Sequence, residues 1–99
     1  DGELNARLAV AYLNLDRYED CIQAGPQALD KGGVREPNDV RITIGMCQYN
    51  LDRYQDARQT FMVVRRDDDY TKLGSQWISV IDGEIERLEQ LRQAIAQNE

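Results

Sequence analysis

The seven residues Asn14-Leu15-Asp16-Arg17-Tyr18-Glu19-Asp20 return 36 positions later as Asn50-Leu51-Asp52-Arg53-Tyr54-Gln55-Asp56, with six of seven identical. The likeness continues on both sides. Leu4 matches Val40, Leu8 matches Ile44, Ala9 matches Gly45, Cys21 matches Ala57 and Ala28 matches Val64. Self-similarity at this period marks stacked supersecondary units, none of which buries its apolar face alone.

Each unit has the pattern of a helix, a turn and a second helix. In the first copy Leu4, Leu8, Ala11, Tyr12 and Leu15 recur at spacings of three and four, as one apolar helix face requires. Leu15-Asp16-Arg17 forms the turn, where Asp16 and its counterpart Asp52 suit a left-handed backbone better than most residues do. The second helix runs from about Tyr18 to Lys31 with Cys21, Ile22, Ala28 and Leu29 inward, and Gly32-Gly33 ends it. Pro37 opens the next helix, which continues to about Asn50. Its partner runs from Tyr54 to Arg66 with Ala57, Phe61 and Val64 inward. Asp67-Asp68-Asp69 closes that helix, and Thr71 or Asp69 caps the helix after it. Gly25-Pro26 interrupts the first unit's second helix. A proline there removes a hydrogen bond to the Ile22 carbonyl and costs about 3 kcal/mol in an ordinary helix. A kink is expected, or else a short helix that restarts.

From Thr71 to about Gln97 a single stripe of Leu73, Trp77, Val80, Ile81, Ile85, Leu88, Leu91 and Ile95 predicts one long helix of roughly 40 Å. Its first half, with Trp77 and Ile81, suits the cap that a repeat array needs. Its second half overhangs. Self-association through Ile85, Leu88, Leu91 and Ile95, giving a homodimer, is the favoured expectation for that segment. Folding back on the chain's own surface and a frayed end are the alternatives.

Composition narrows the chemistry. The net charge of −6, with 12 basic residues dispersed among 18 acidic ones, argues against nucleic acid, which needs a basic stripe. No apolar run approaches the roughly 20 residues that span a bilayer, and no signal peptide is visible. Because the first residue is Asp1, the chain is expected to be a fragment or processed form. Histidine is absent, which removes the commonest general base and metal ligand. Cys21 and Cys47 are too few for a structural zinc site. They are expected to be buried thiols acting as small hydrophobes, with a disulfide between them as the sharper alternative. Asp67-Asp68-Asp69 lacks the spacing and glycine of a calcium loop. No phosphate-binding loop, dinucleotide fingerprint or paired catalytic residues occur, so no enzyme, no cofactor and no metal site is expected.

The spacing of residues resembles the tetratricopeptide repeat, over roughly residues 2–69. The second copy places Arg41, Ile44-Gly45, Gln48, Ala57, Phe61 and Asp69 at the family's marker positions, and the first places Asn5, Leu8-Ala9, Tyr12, Cys21, Gly25 and Gly33 there. Neither copy has the family's large aromatic first residue or its terminal proline. The family period is 34. Each unit here therefore carries two extra residues, which fall in the linker from Lys31 to Pro37.

The resemblance implies an all-α, right-handed α-solenoid in one domain. Residues 2–35 and 36–69 would be the two units, and 71–97 the capping helix. It also implies a protein-binding scaffold whose concave groove is lined by the first helix of each unit. Mapped onto this chain, the groove positions are Ala6, Val10 and Leu13, then Asp39, Ile42, Thr43, Met46, Tyr49 and Asn50. Ala6, Val10, Ile42 and Met46 stand where carboxylate-gripping members of the family carry polar side chains. A hydrophobic peptide or helix is therefore the expected occupant, with Met46 and Tyr49 as anchors. Dimerisation through the C-terminal helix is the alternative function. A further resemblance rests on Lys31-Gly32-Gly33, Pro37, Gly45, Ala57-Arg58, Phe61 and Gln76-Trp77-Ile78. These residues look like the end of bacterial envelope repeat proteins that accompany energised outer-membrane transport systems of the TonB type. That likeness implies a periplasmic location, with the cytoplasm as the alternative.

Overall fold

A computed structural model describes residues 1–98, and among them the regular structure is entirely helical. The helices are α1 (Glu3–Asn14), α2 (Tyr18–Lys31), α3 (Pro37–Asn50), α4 (Tyr54–Val64) and α5 (Thr71–Gln97), with a single 3-10 turn at Asp68–Tyr70 before α5. α1 lies against α2, α2 against α3, α3 against α4 and α4 against α5, and α1 also touches α3. The result is elongated, 54 × 29 × 19 Å.

The repeated heptad owes its identity to the turn it builds. Asp16 and Asp52 adopt φ of 58° and 60°, the left-handed region that a side chain with a nearby partner tolerates best. In each turn two backbone N–H groups satisfy the last helix carbonyls. Arg17 donates to Tyr12 and Asp16 to Leu13 at 2.8 and 3.1 Å, while Arg53 donates to Gln48 and Asp52 to Tyr49 at 2.9 and 3.0 Å. This is the Schellman pattern with aspartate where glycine is usual. The aspartate adds a lock of its own. Tyr18 Oη donates to Asp16 Oδ1 and Tyr54 Oη to Asp52 Oδ1, both at 2.9 Å. Asp16, Arg17 and Tyr18 are therefore one device, used twice.

Buried side chains fall into three small clusters. Ala9, Cys21, Ala24 and Cys47 form the first, and Ala28, Val40 and Ile44 the second. Ala57, Phe61, Val64, Ile78 and Ile81 form the third and largest. There the fully buried Phe61 ring stacks on Trp77 at a centroid distance of 5.1 Å and an interplanar angle of 3°. Gly45 permits this arrangement, because a Cβ at that position would sit 2.6 Å from the Phe61 ring. Ile44 occupies the corresponding space over Gly25, where a Cβ would collide with its side chain.

Several sequence expectations need amending. α2 is continuous from Tyr18 to Lys31 with Pro26 inside it, so the helix does not stop and restart. Its buried residues are Cys21, Ala24, Gly25 and Ala28, while Ile22 and Leu29 are only half-buried. α4 ends at Val64 rather than Arg66. Neither Asp69 nor Thr71 caps α5. Instead Asp67 caps the 3-10 turn through the Asp69 N–H at 3.0 Å, and the Thr71 hydroxyl donates back to the Arg65 and Asp67 carbonyls. In α1 the apolar stripe is not the buried face. Asn5 and Ala9 are buried, whereas Leu4, Leu8, Ala11 and Leu15 are exposed, since no helix among the described residues packs over that face.

Tyrosine ionisation tests the turn geometry. Donation to the Asp52 carboxylate pushes the Tyr54 hydroxyl up to about 12, and donation to Asp39 does the same for Tyr70. Both pKa values lie above the ordinary value near 10. Their contribution to stability is thus complete below pH 10 and is lost as pH rises through about 12. Absorbance at 295 nm should show Tyr54 and Tyr70 ionising late in the folded chain, with Tyr18 also raised by its bond to Asp16, and the melting temperature should drop across this window. Tyr54→Phe and Tyr70→Phe should flatten that drop. Titration of every tyrosine near 10 in the folded state would contradict the hydrogen bonds.

Candidate functional site

α1 and α3 run side by side, and the segment between α2 and α3 closes one end of the space between them. Several contacts hold that segment in place. The Gly2 N–H donates to the Gly32 carbonyl at 2.7 Å, and the Arg35 N–H donates to Glu3 Oε1 at 2.8 Å. Gly32 and Gly33, at φ of 73° and 71°, let the chain leave α2 and turn back toward the start of α1.

The enclosed space is an open cleft of about 450 Å³. Ala6, Val34 and Val40 supply apolar lining, and Val10 stands exposed beside them. Charged residues of both signs surround it: Glu3, Glu36 and Asp39 against Arg7 and Arg35. Asp39 is fixed by the Tyr70 hydroxyl at 2.9 Å, and its carbonyl accepts from Thr43 Oγ1 at 3.0 Å. A cleft of this size with an apolar lining and flanking charges can seat one or two apolar side chains and orient them by ion pairs.

The structure distributes the groove residues expected from sequence over three places. Ala6 and Val10 line the cleft together with Asp39 and Thr43. Leu13 packs instead on the cluster around Ala9 and Cys21. Ile42, Met46 and Tyr49 are half-buried against the Phe61 cluster, where Tyr49 meets Trp77 and Tyr54 edge-on at centroid distances of 5.5 and 5.4 Å. Asn50 turns its amide back to the Met46 carbonyl at 2.8 Å. Val34, Arg35 and Glu36 join the lining although the repeat pattern does not point to them. Their one signal in the sequence is the linker's two surplus residues, which form a wall here rather than a slack loop.

The residues expected to self-associate lie on the overhang of α5. Ile85 is half-buried against the Phe61 cluster, but residues 86–97 are exposed throughout, including Leu88, Leu91 and Ile95. Pairs at i, i+3 brace this stretch: Arg87 with Glu84 and Arg92 with Glu89, each at 2.9 Å. Such solvent-exposed pairs are screened by water and add little to stability.

Cys21 and Cys47 are both fully buried, and they are bridged rather than free, so the expectation of two thiols gives way to the disulfide. The reason is geometric. Cys21 on α2 and Cys47 on α3 face each other across the joint between the units, with Cα atoms 6.4 Å apart, inside the range a bridge requires. Among the described residues, no three His, Cys, Asp or Glu side chains are grouped so as to hold a metal ion. No helix there is long and apolar enough to cross a membrane.

The bridge closes a loop with a sequence separation of 26, for which chain entropy gives a stabilisation of about 3–4 kcal/mol. Reduction, or the pair Cys21→Ser and Cys47→Ser, should therefore lower the melting temperature by about 10 °C or more. An unchanged melting temperature in reductant, with two thiols then titratable, would show that the joint holds without it.

Comparison with protein-family models, with curated proteins and with solved structures finds no significant match for the chain.

Proposed function

We propose that this chain is a non-catalytic scaffold of the tetratricopeptide type, binding a hydrophobic peptide or helix of another protein in the cleft between α1 and α3. The observation that carries the reading is that cleft itself, with Ala6, Val34 and Val40 inside and charges of both signs around it. The 36-residue repeat, the paired aspartate turns and the helix approaches at Gly25 and Gly45 support the repeat type. The occupant would insert an apolar side chain beside Val10, with flanking charges opposite Arg7, Arg35 and Asp39. Met46 and Tyr49 play a smaller part than their exposure in a bare groove would give them, since Trp77 already covers one side of the Tyr49 ring. The net charge of −6 favours a protein over a nucleic acid. The Cys21–Cys47 bridge favours an oxidising compartment. That suits a periplasmic accessory of an outer-membrane transport apparatus better than it suits a cytoplasmic protein.

Peptide display against the bridged protein tests this directly. Selected peptides should share an apolar residue flanked by charges, and Val10→Glu should weaken them about tenfold or more, as for an interface anchor. Leu91→Asp, far along α5, should leave them unchanged. Selected peptides that bind Val10→Glu as well as the parent would remove the cleft from the proposal.

The second reading, dimerisation through α5, is favoured by one observation: Leu88, Leu91 and Ile95 lie exposed along one helix face. Sedimentation should then report a dimer that Leu88→Asp with Leu91→Asp converts to a monomer. A parent chain that is monomeric at high micromolar concentration would dismiss this reading.

A further inference from the structure

α5 carries two apolar rows, and the fold uses only one of them. Ile78, Ile81 and Ile85 lie against the Phe61 cluster, and Gly74 lies against Arg65 at the end of α4. The second row holds Leu73, Trp77 and Val80 on the docked half and Leu88, Leu91 and Ile95 on the overhang, with Glu84 between them. Trp77 is half-buried, whereas the five aliphatic residues are 37 % to 56 % exposed. Leu73 to Glu84 and Glu84 to Ile95 are steps of 11 residues each, close to three helical turns. The row therefore keeps to one face of α5 for roughly 33 Å.

This outer row is not the seat of a further repeat. Gly74, Ile78 and Ile81 stand to α4 as Val40, Ile44 and Cys47 stand to α2, an offset of 34 positions. In α3 the face that receives the following helix carries Gly45 against the Phe61 ring, and Gln48, which accepts from Thr60 Oγ1 at 2.7 Å. The equivalents in α5 are Ser79 and Asp82, both exposed, and Asp82 already pairs with Arg58 of α4 at 2.7 Å. A next helix would meet polar side chains there, on a different face from Leu73, Val80 and Leu91.

The spacing of the outer row reads the same in both directions about Glu84. Val80 and Leu88 lie four residues to either side, Trp77 and Leu91 seven, and Leu73 and Ile95 eleven. Laid antiparallel on a second copy about that point, every apolar residue meets another: Val80 with Leu88, Trp77 with Leu91, Leu73 with Ile95. A two-fold interface demands such a match, since one patch must serve both sides. A row shaped for an unrelated helix has no reason to mirror itself. The one charged residue falls on the axis and brings its own counter-charge, because Arg87 holds Glu84 at 2.9 Å. Two such pairs meeting there alternate in sign. Orientation follows from bulk. The docked half has α3 beside it, with Tyr49 edge-on to Trp77, whereas residues 86–97 stand free of the body. Parallel helices would crowd two docked halves together. Antiparallel helices give each docked half a bare overhang.

We propose that the protein forms a two-fold dimer in which the α5 helices run antiparallel. Each overhang covers Leu73, Trp77 and Val80 of the other copy, with Glu84 and Arg87 of both at the axis. This rests on the reading of α5 as a dimer contact, and it adds the orientation and a second surface, the docked half.

Sedimentation of the bridged protein should report a dimer. Val80→Asp, at a site the single chain leaves exposed, should raise the dissociation constant about tenfold or more without changing helicity, since each substitution counts twice in a two-fold interface. Glu84→Leu, which makes the row apolar throughout, should lower it. Gln90→Asp, on the opposite side of α5, should leave association unchanged. A nitroxide at Gln97→Cys reads the orientation, and both native cysteines are bridged, so the label is specific. Pulsed electron resonance should give roughly 40 Å between labels, 13 residues on each side of Glu84 at about 1.5 Å each. Parallel helices about 10 Å apart would instead bring the labels within about 20 Å. A chain that stays monomeric at high micromolar concentration removes the dimer and its orientation together. A dimer with the short label distance, or one that Val80→Asp leaves intact, keeps the dimer reading and overturns the antiparallel arrangement.

Discussion

Where α2 meets α3, three small residues of one helix admit three others of the next, and a covalent bond passes between them. Cys21, Gly25 and Ala28 face Cys47, Ile44 and Val40. A helix pair of fewer than 40 residues has too little interior to be stable alone, so each unit depends on the face its neighbour offers. The clusters around Ala9 and around Val40 both straddle or adjoin this joint, and the relative placement of α1 and α3, hence the cleft, is set by it. With Ile44 over Gly25 as the one large side chain at the centre of the joint, the bridge takes the place that a bigger hydrophobic core would fill in a longer domain.

Around that joint the chain repeats its local geometry and varies its longer contacts. The two turns agree to within 2° in the φ of Asp16 and Asp52, and each uses the same tyrosine hydrogen bond. The arginine between them does not behave uniformly. Arg17 pairs with Asp20 three residues on and lies over the Tyr12 ring at 5.2 Å, whereas Arg53 reaches back past α3 to Glu19 of α2. A local motif fixes the turn. What its exposed side chain meets depends on whether a neighbour stands in reach.

That distinction also explains which features the amino-acid sequence revealed. Helix limits were legible because their causes are local: Asp16 and Asp52 at the turns, Gly32-Gly33 after α2 and Pro37 at the start of α3. The inward positions of α4 were legible for the same reason, since Ala57, Phe61 and Val64 share one face of a short helix. Periodicity did not reveal that Leu4, Leu8 and Leu15 lie open, because an apolar stripe says which face seeks cover and not whether cover exists. The Cys21–Cys47 pairing depends on two residues of different helices meeting across the joint, a tertiary fact. The cleft was legible only in half. Ala6 and Val10 are given by the repeat, but its end wall is a linker whose path is set by the contacts of Gly2 and Glu3 with residues 32 and 35.

The bridge has a mechanical side as well. Pulled from its two ends, the chain cannot extend between Cys21 and Cys47, which withholds about 90 Å of contour, 26 residues at about 3.4 Å each. Tension therefore passes directly from α2 into α3 and shields the turn region between them. No such tie joins α4 to α5, where the grip is the Phe61–Trp77 stack and its aliphatic neighbours. Under load the long last helix should peel away first, while the two bridged helices go on bearing force as one piece.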